Sequence, residues 1–125
     1  MESKRDPRTA RIIDSAIEVH RELGPGLLEK TYERCLFHEL TMRGIEVRSQ
    51  IAVPVMYKGL EIDCAYQLDL LVEESVTVEL KAVEKLLPIH EAQLLTYMKL
   101  AGIRTGLLLN FNVPLMRDGI KRMVL

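Results

Sequence analysis

The sequence predicts an α/β protein, a mixed β-sheet with helices packed against it. Three observations predict it. Apolar residues recur at helical spacing through the first third of the chain. The middle third changes to β-branched, strand-like runs broken by short polar turns. A third helical stretch then separates those runs from another apolar strand. With 125 residues, 48% of them apolar, the chain fits one domain with an ordinary core.

A first helix is expected from about Thr9 to Leu23, capped by Asp6 or Thr9, with residues 1–8 as a flexible N-terminus. Ile12, Ile13, Ala16, Ile17 and Leu23 would form its inner face. Gly24-Pro25-Gly26 breaks it, and a second helix should cover about Leu27 to Arg43. Its apolar stripe uses Leu28, Tyr32, Cys35, Leu36 and Leu40. Three consecutive antiparallel strands follow at about 46–56, 60–72 and 76–83, punctuated by Lys58-Gly59 and Glu73-Glu74-Ser75. Pro88 opens a third helix at about 89–101, closed by Gly102. A strand is expected at about 104–110, and the Asp118-Gly119 turn leaves room for a short final strand at about 120–124.

Composition narrows the function. Lys plus Arg number 17 and Asp plus Glu 18, a net charge of -1, which argues against a protein that merely coats duplex nucleic acid. Cys35 and Cys64 have neither metal-ligand spacing nor a disulfide framework, and are expected to be reduced and buried. No apolar run approaches the length of a membrane span, and the first residues lack the apolar core of a signal peptide. A soluble, cytoplasmic protein with no membrane partner is the expectation.

The informative polar residues lie in strands that should not want them. In Gln67-Leu68-Asp69 and Val78-Glu79-Leu80-Lys81, charged side chains interrupt buried runs, where they need partners. If Glu73-Glu74-Ser75 is a three-residue hairpin loop, Val72 faces Val76, Leu71 faces Thr77, Leu70 faces Val78 and Asp69 faces Glu79. Two carboxylates then stand side by side, with Lys81 on the same face as Glu79. A four-residue loop would break that pairing. Opposed like charges destabilise a sheet, and Lys81 or a bound hard cation such as Mg²⁺ or Mn²⁺ could offset them. The plain alternative is a structural salt-bridge cluster. At ~100° per residue, Glu29 falls about 60° from Tyr32 and about 20° from Leu36, at the border of the buried stripe. Gln93 and Tyr97 share one face of the third helix.

Several stretches together resemble the GxxExxY protein family: His20-Arg21-Glu22-Leu23-Gly24-Pro25-Gly26-Leu27-Leu28-Glu29-Lys30-Thr31-Tyr32, then Val78-Glu79-Leu80-Lys81-Ala82-Val83, His90-Glu91-Ala92-Gln93-Leu94 and Leu109-Asn110-Phe111-Asn112. That family is placed in the PD-(D/E)XK nuclease-like superfamily. The resemblance runs from about Ile12 to the C-terminus and implies a restriction-endonuclease-like core, α-β-β-β-α-β, with an extra N-terminal helix. It also implies a metal-dependent nuclease hydrolysing phosphodiester bonds, with catalytic residues Glu29, Asp69, Glu79 and Lys81. Asp69, Glu79 and Glu29 would bind Mg²⁺ or Mn²⁺. Gln93 and Tyr97 resemble the supporting Q-x-x-x-Y element of the RecB-like branch. Leu68 stands where the superfamily name implies proline, and Gln67 where many relatives carry arginine.

The implied partner is nucleic acid, DNA before RNA, with a homo-oligomer or a partner subunit as further options. Arg8, Arg11, Arg104, Arg117, Lys121 and Arg122 are candidate phosphate contacts, and His20 and His90 candidate groups behind the site. The competing expectation is a catalytically inactive nuclease-fold module that binds nucleic acid or protein.

Overall fold

The computed structural model describes residues 6–125, apart from the side chains of Cys64 and Ala65. Helices α1 (Pro7–Leu23) and α2 (Glu29–Met42) lead into strands β1 (Val47–Tyr57), β2 (Leu60–Val72) and β3 (Val76–Lys81). Helix α3 (Pro88–Ala101) follows, then β4 (Thr105–Asn110), a 3-10 turn (Met116–Gly119) and β5 (Ile120–Val124). The sheet runs in the order β1-β2-β3-β4-β5. Among the described residues only β3 and β4 pair in parallel, because α3 carries the chain back between them.

Helix α1 begins earlier than Thr9, so the flexible segment expected at 1–8 does not extend through Pro7 and Arg8; residues 1–5 lie outside the described residues. The Asp6 carboxylate accepts the Arg8 backbone N–H at 2.9 Å, and Pro7 needs no N–H partner in the first turn. Helix α2 begins later than Leu27. Leu28 precedes the first turn and is 77% exposed, so it does not belong to the buried stripe. Leu23 also lies at the surface. Strand β3 ends at Lys81 rather than at residue 83, because the Asn110 side chain bonds the Val83 backbone.

Strands β3 and β4 are buried on both faces apart from Lys81 at the edge, as expected for the parallel centre of a sheet covered on two sides. On one face Leu70, Val72, Val78, Leu80, Leu107 and Leu109 pack with Ile12, Ala16, Tyr32, Leu36, Leu40 and Phe111. On the other, Leu108 and Met123 pack with Leu94 and Met98 of α3. Each Val, Leu, Ile, Phe or Met side chain among them contributes roughly 1.5–3 kcal/mol through burial. Glu79 lies opposite Leu108 in the parallel ladder, and so on the α3 face. Cys35 is a free, half-buried thiol, and the side chain of Cys64 lies outside the described residues. Among the described residues no helix is long and apolar enough to cross a membrane.

Candidate active site

The hairpin between β2 and β3 has the three-residue loop that brings the acids together. Val72 pairs with Val76, Leu71 with Thr77 and Leu70 with Val78. The backbone ladder stops there, so Asp69 and Glu79 are not a ladder pair as the simple register implied. Their carboxylates complete the pairing instead. The Asp69 N–H donates to Glu79 Oε1 at 2.9 Å, and the Leu80 N–H donates to Asp69 Oδ2 at 2.9 Å. Each strand's acid thus bonds the opposite strand's backbone.

A local break in β2 makes this exchange feasible. Leu68 shares a groove with Leu71 and with Leu100 and Ala101 of α3, whereas Leu70 joins the core under α1 and α2. Residues two apart share a face in a regular strand, so the strand changes face at Asp69. Opposite it, Gln50 of β1 has φ +54°, and the ladder passes from Ser49–Leu70 to Ile51–Leu68 without a Gln50–Asp69 pair. A left-handed non-glycine residue inside a strand stores strain of order 1 kcal/mol. The Gln50 side chain donates to Glu33 Oε2 at 2.7 Å.

Glu33 is the acid that sequence reasoning did not single out. It is 5% exposed on α2, is also approached by Lys30 Nζ at 3.3 Å, and its charge acts on Asp69. Its position one helical turn after Glu29 was the available signal. Glu29 itself is exposed in the first turn of α2, and its charge reaches both Asp69 and Glu79.

Burial is the main force on the acid pair. It pushes Asp69 up to about 6, assisted by Glu33 and Glu29 and opposed by the Leu80 N–H and Lys81. It pushes Glu79 up to about 8, assisted by Asp69 and Glu29 and opposed by the Asp69 N–H and Lys81. Near neutral pH the pair therefore retains a proton that two exposed carboxylates would have lost.

Lys81 sits half-buried at the end of β3. Its strand end is clamped by buried Asn110, which pairs with it in the parallel ladder. Asn110 Oδ1 accepts the Val83 N–H at 3.0 Å, while its Nδ2 donates to the Val83 carbonyl at 2.9 Å. The Asn110 side chain thus takes over the bonding of Val83, which is why β3 does not reach residue 83. Tyr97 of α3 is half-buried, and burial followed by the charge of Glu79 raises its hydroxyl pKa. Gln93, one turn earlier, is exposed.

Other candidates are structural. His20 Nε2 lies 2.7 Å from the Val113 carbonyl, and His90 Nδ1 accepts the Leu87 N–H at 3.0 Å at the start of α3. The spacing of Gly26, Glu29 and Tyr32 also has a structural basis. The Tyr32 hydroxyl donates to the Gly24 carbonyl at 2.6 Å and accepts the Leu27 N–H at 3.0 Å, and its ring stacks on Phe111. Gly24 and Gly26 have φ +72° and +100°, so this loop favours glycine at both positions. Of the basic residues, Arg8 and Arg122 engage Asp6, and Arg11 engages Glu73. Among the described residues, no three His, Cys, Asp or Glu side chains are gathered closely enough to hold a metal ion.

A solved structure, that of SSO0001, is similar over 97% of this chain and 67% of its own, at 15% identity and a TM-score of 0.41, too low to bear on function. No curated protein matches the sequence. A family profile described as the PD-(D/E)XK nuclease superfamily matches residues 6–123. With nearly the whole chain matched, and with a mixed sheet flanked by helices as that fold requires, the protein belongs to the PD-(D/E)XK nuclease superfamily.

Proposed function

We propose that the protein is a divalent-metal-dependent nuclease that hydrolyses phosphodiester bonds of nucleic acid. The observation carrying this reading is the reciprocal Asp69–Glu79 pair, fixed by backbone bonds, with Lys81 next on the strand, in a chain of this superfamily. The finer resemblance to the GxxExxY family supports the same assignment of Glu29, Asp69, Glu79 and Lys81.

The donor set fits Mg²⁺ or Mn²⁺. Such ions take hard oxygen ligands and are commonly held by one or two carboxylates, with water and substrate phosphate filling the remaining positions. Asp69 and Glu79 would hold the ion, and a bound cation would favour the charged forms that burial, first, and the neighbouring carboxylates disfavour. When bound, the ion supplies charge neutralisation at the phosphate and acidifies water. Glu29 and Glu33 add negative potential from α2. Lys81 stabilises charge that develops on the phosphate oxygens. Tyr97 flanks the acids and positions the substrate, with exposed Gln93 farther along the same helix. In the reaction a water oxygen bonds to phosphorus, the bond from phosphorus to the leaving sugar oxygen breaks, and a proton ends on that oxygen.

A second reading, a nuclease-fold module without catalysis, is favoured by the lack of a gathered three-carboxylate set among the described residues. Metal binding and cleavage of single-stranded and duplex DNA and RNA separate the two. The nuclease reading expects cleavage that requires Mn²⁺ or Mg²⁺, weakened metal binding in Glu79→Ala, and retained metal binding with cleavage reduced about 100-fold or more in Lys81→Ala. Metal binding without any cleavage supports the module. A folded wild type that binds no metal overturns the nuclease reading.

A further inference from the structure

Beyond β3, the β1–β2 hairpin continues as a two-stranded arm. Residues of β2 before Asp69 have their ladder partners on β1. On this arm Tyr66 meets Tyr97 of α3, with ring centroids 4.8 Å apart and planes inclined by 42°. Unlike Tyr32, which is fully buried, Tyr66 is 41% exposed. The pair adjoins the acid site. Tyr66 is three residues from Asp69 on one strand, about 10 Å at ~3.3 Å per residue. On the helix side, the charges of Glu79 and Asp69 reach the Tyr97 hydroxyl.

We propose that Tyr66 and Tyr97 form a stacking shelf for an unpaired base, making single-stranded nucleic acid the substrate class presented to Asp69 and Glu79. The proposal rests on the nuclease reading of the acid pair. Two further observations favour a single strand. The chain carries a net charge of -1, and three of the six candidate phosphate contacts, Arg8, Arg11 and Arg122, are engaged by Asp6 and Glu73. Phosphate neutralisation is therefore a limited source of affinity. Stacking on an aromatic ring does not depend on net charge and tolerates any base. A duplex keeps its base faces covered, whereas an unpaired strand offers them.

A tether between the arm and α3 would use the same two rings, so the test must read base stacking as well as stability. Binding of oligo-dA, oligo-rA and the corresponding duplexes is measured by fluorescence anisotropy in Ca²⁺ for wild type, Tyr66→Phe and Tyr66→Leu. A strand containing 2-aminopurine reports stacking directly. The shelf predicts tighter binding of single strands than of duplex. It predicts an affinity loss of roughly 5- to 150-fold in Tyr66→Leu, the range for one stacked base. Tyr66→Phe should remain within about twofold of wild type, because it keeps the ring face. Loss of 2-aminopurine quenching in a folded Tyr66→Leu also supports the shelf. Equal binding by Tyr66→Leu, tighter binding of duplex, or no binding of single strands overturns it.

Cleavage in Mn²⁺ by the same proteins keeps the two readings apart. Single-strand cleavage unchanged by Tyr66→Leu overturns the shelf and leaves the nuclease. Tyr66-dependent binding of single strands without cleavage supports the shelf and overturns the nuclease.

Discussion

Replacing Glu79 with glutamine removes a charge while keeping its oxygen as acceptor for the Asp69 N–H, the bond that measures 2.9 Å. Burial, first, and then Asp69 raise Glu79 from 4.5 to about 8. Between those values the folded protein holds a proton that the unfolded chain has released. The unfolded state therefore binds fewer protons, and stability falls as pH rises through this window. At about 1.4 kcal/mol per pH unit, the full span corresponds to a loss on the order of 4–5 kcal/mol. Relaxation and water entry reduce it, so Glu79→Gln should exceed wild type by about 2–4 kcal/mol above pH 8 and nearly match it at pH 5. Urea unfolding at pH 5, 6.5 and 8.5 in EDTA measures this. Addition of Mn²⁺ at about 100 times its Kd should return about 2.7 kcal/mol to wild type. A wild type whose stability is flat over this range, or a variant with the same slope, refutes the buried-acid account.

Tyr32→Phe should cost about 1–3 kcal/mol in urea unfolding, because the Gly24 carbonyl and Leu27 N–H lose a shared hydroxyl. Asn110→Ala frees the Val83 N–H and carbonyl and should cost about 2–3 kcal/mol. Its cleavage rate, assayed below the unfolding transition, should fall as the strand end bearing Lys81 loosens. Gly106→Ala places a Cβ 2.7 Å from both Met98 Sδ and Thr77 Oγ1, and should cost about 1–3 kcal/mol by thermal denaturation.

Periodicity and strand-like composition made most of the fold legible, because α1, α2 and α3 each bury a face and the β-branched and leucine residues of β3 and β4 mark strands that are almost wholly buried. The hairpin register from Leu70 to Val72 followed from counting the loop residues Glu73, Glu74 and Ser75. Counting could not show that the ladder yields to side chains at Asp69. That depends on Gln50 turning left-handed on the neighbouring strand, and glutamine carries no turn signal. Glu33 was hidden for a related reason. A buried glutamate on α2 reads as a surface residue until Gln50, distant in sequence, supplies its hydrogen bond. Asn110 belonged to a recognisable stretch, but its clamp on Val83 spans the β3–α3–β4 crossover and leaves no local pattern.

The central claim is that Asp69 and Glu79 form a site for a divalent cation. Calorimetric titration of Mn²⁺ at pH 7, in buffers of different ionisation enthalpy, tests it on wild type and on Asp69→Asn, which can still accept the Leu80 N–H. With Asp69 near 6 and Glu79 near 8, binding should expel close to one proton per ion. It should be lost in the folded Asp69→Asn variant. Absence of Mn²⁺ binding by folded wild type, or equal binding by the variant, would contradict the account.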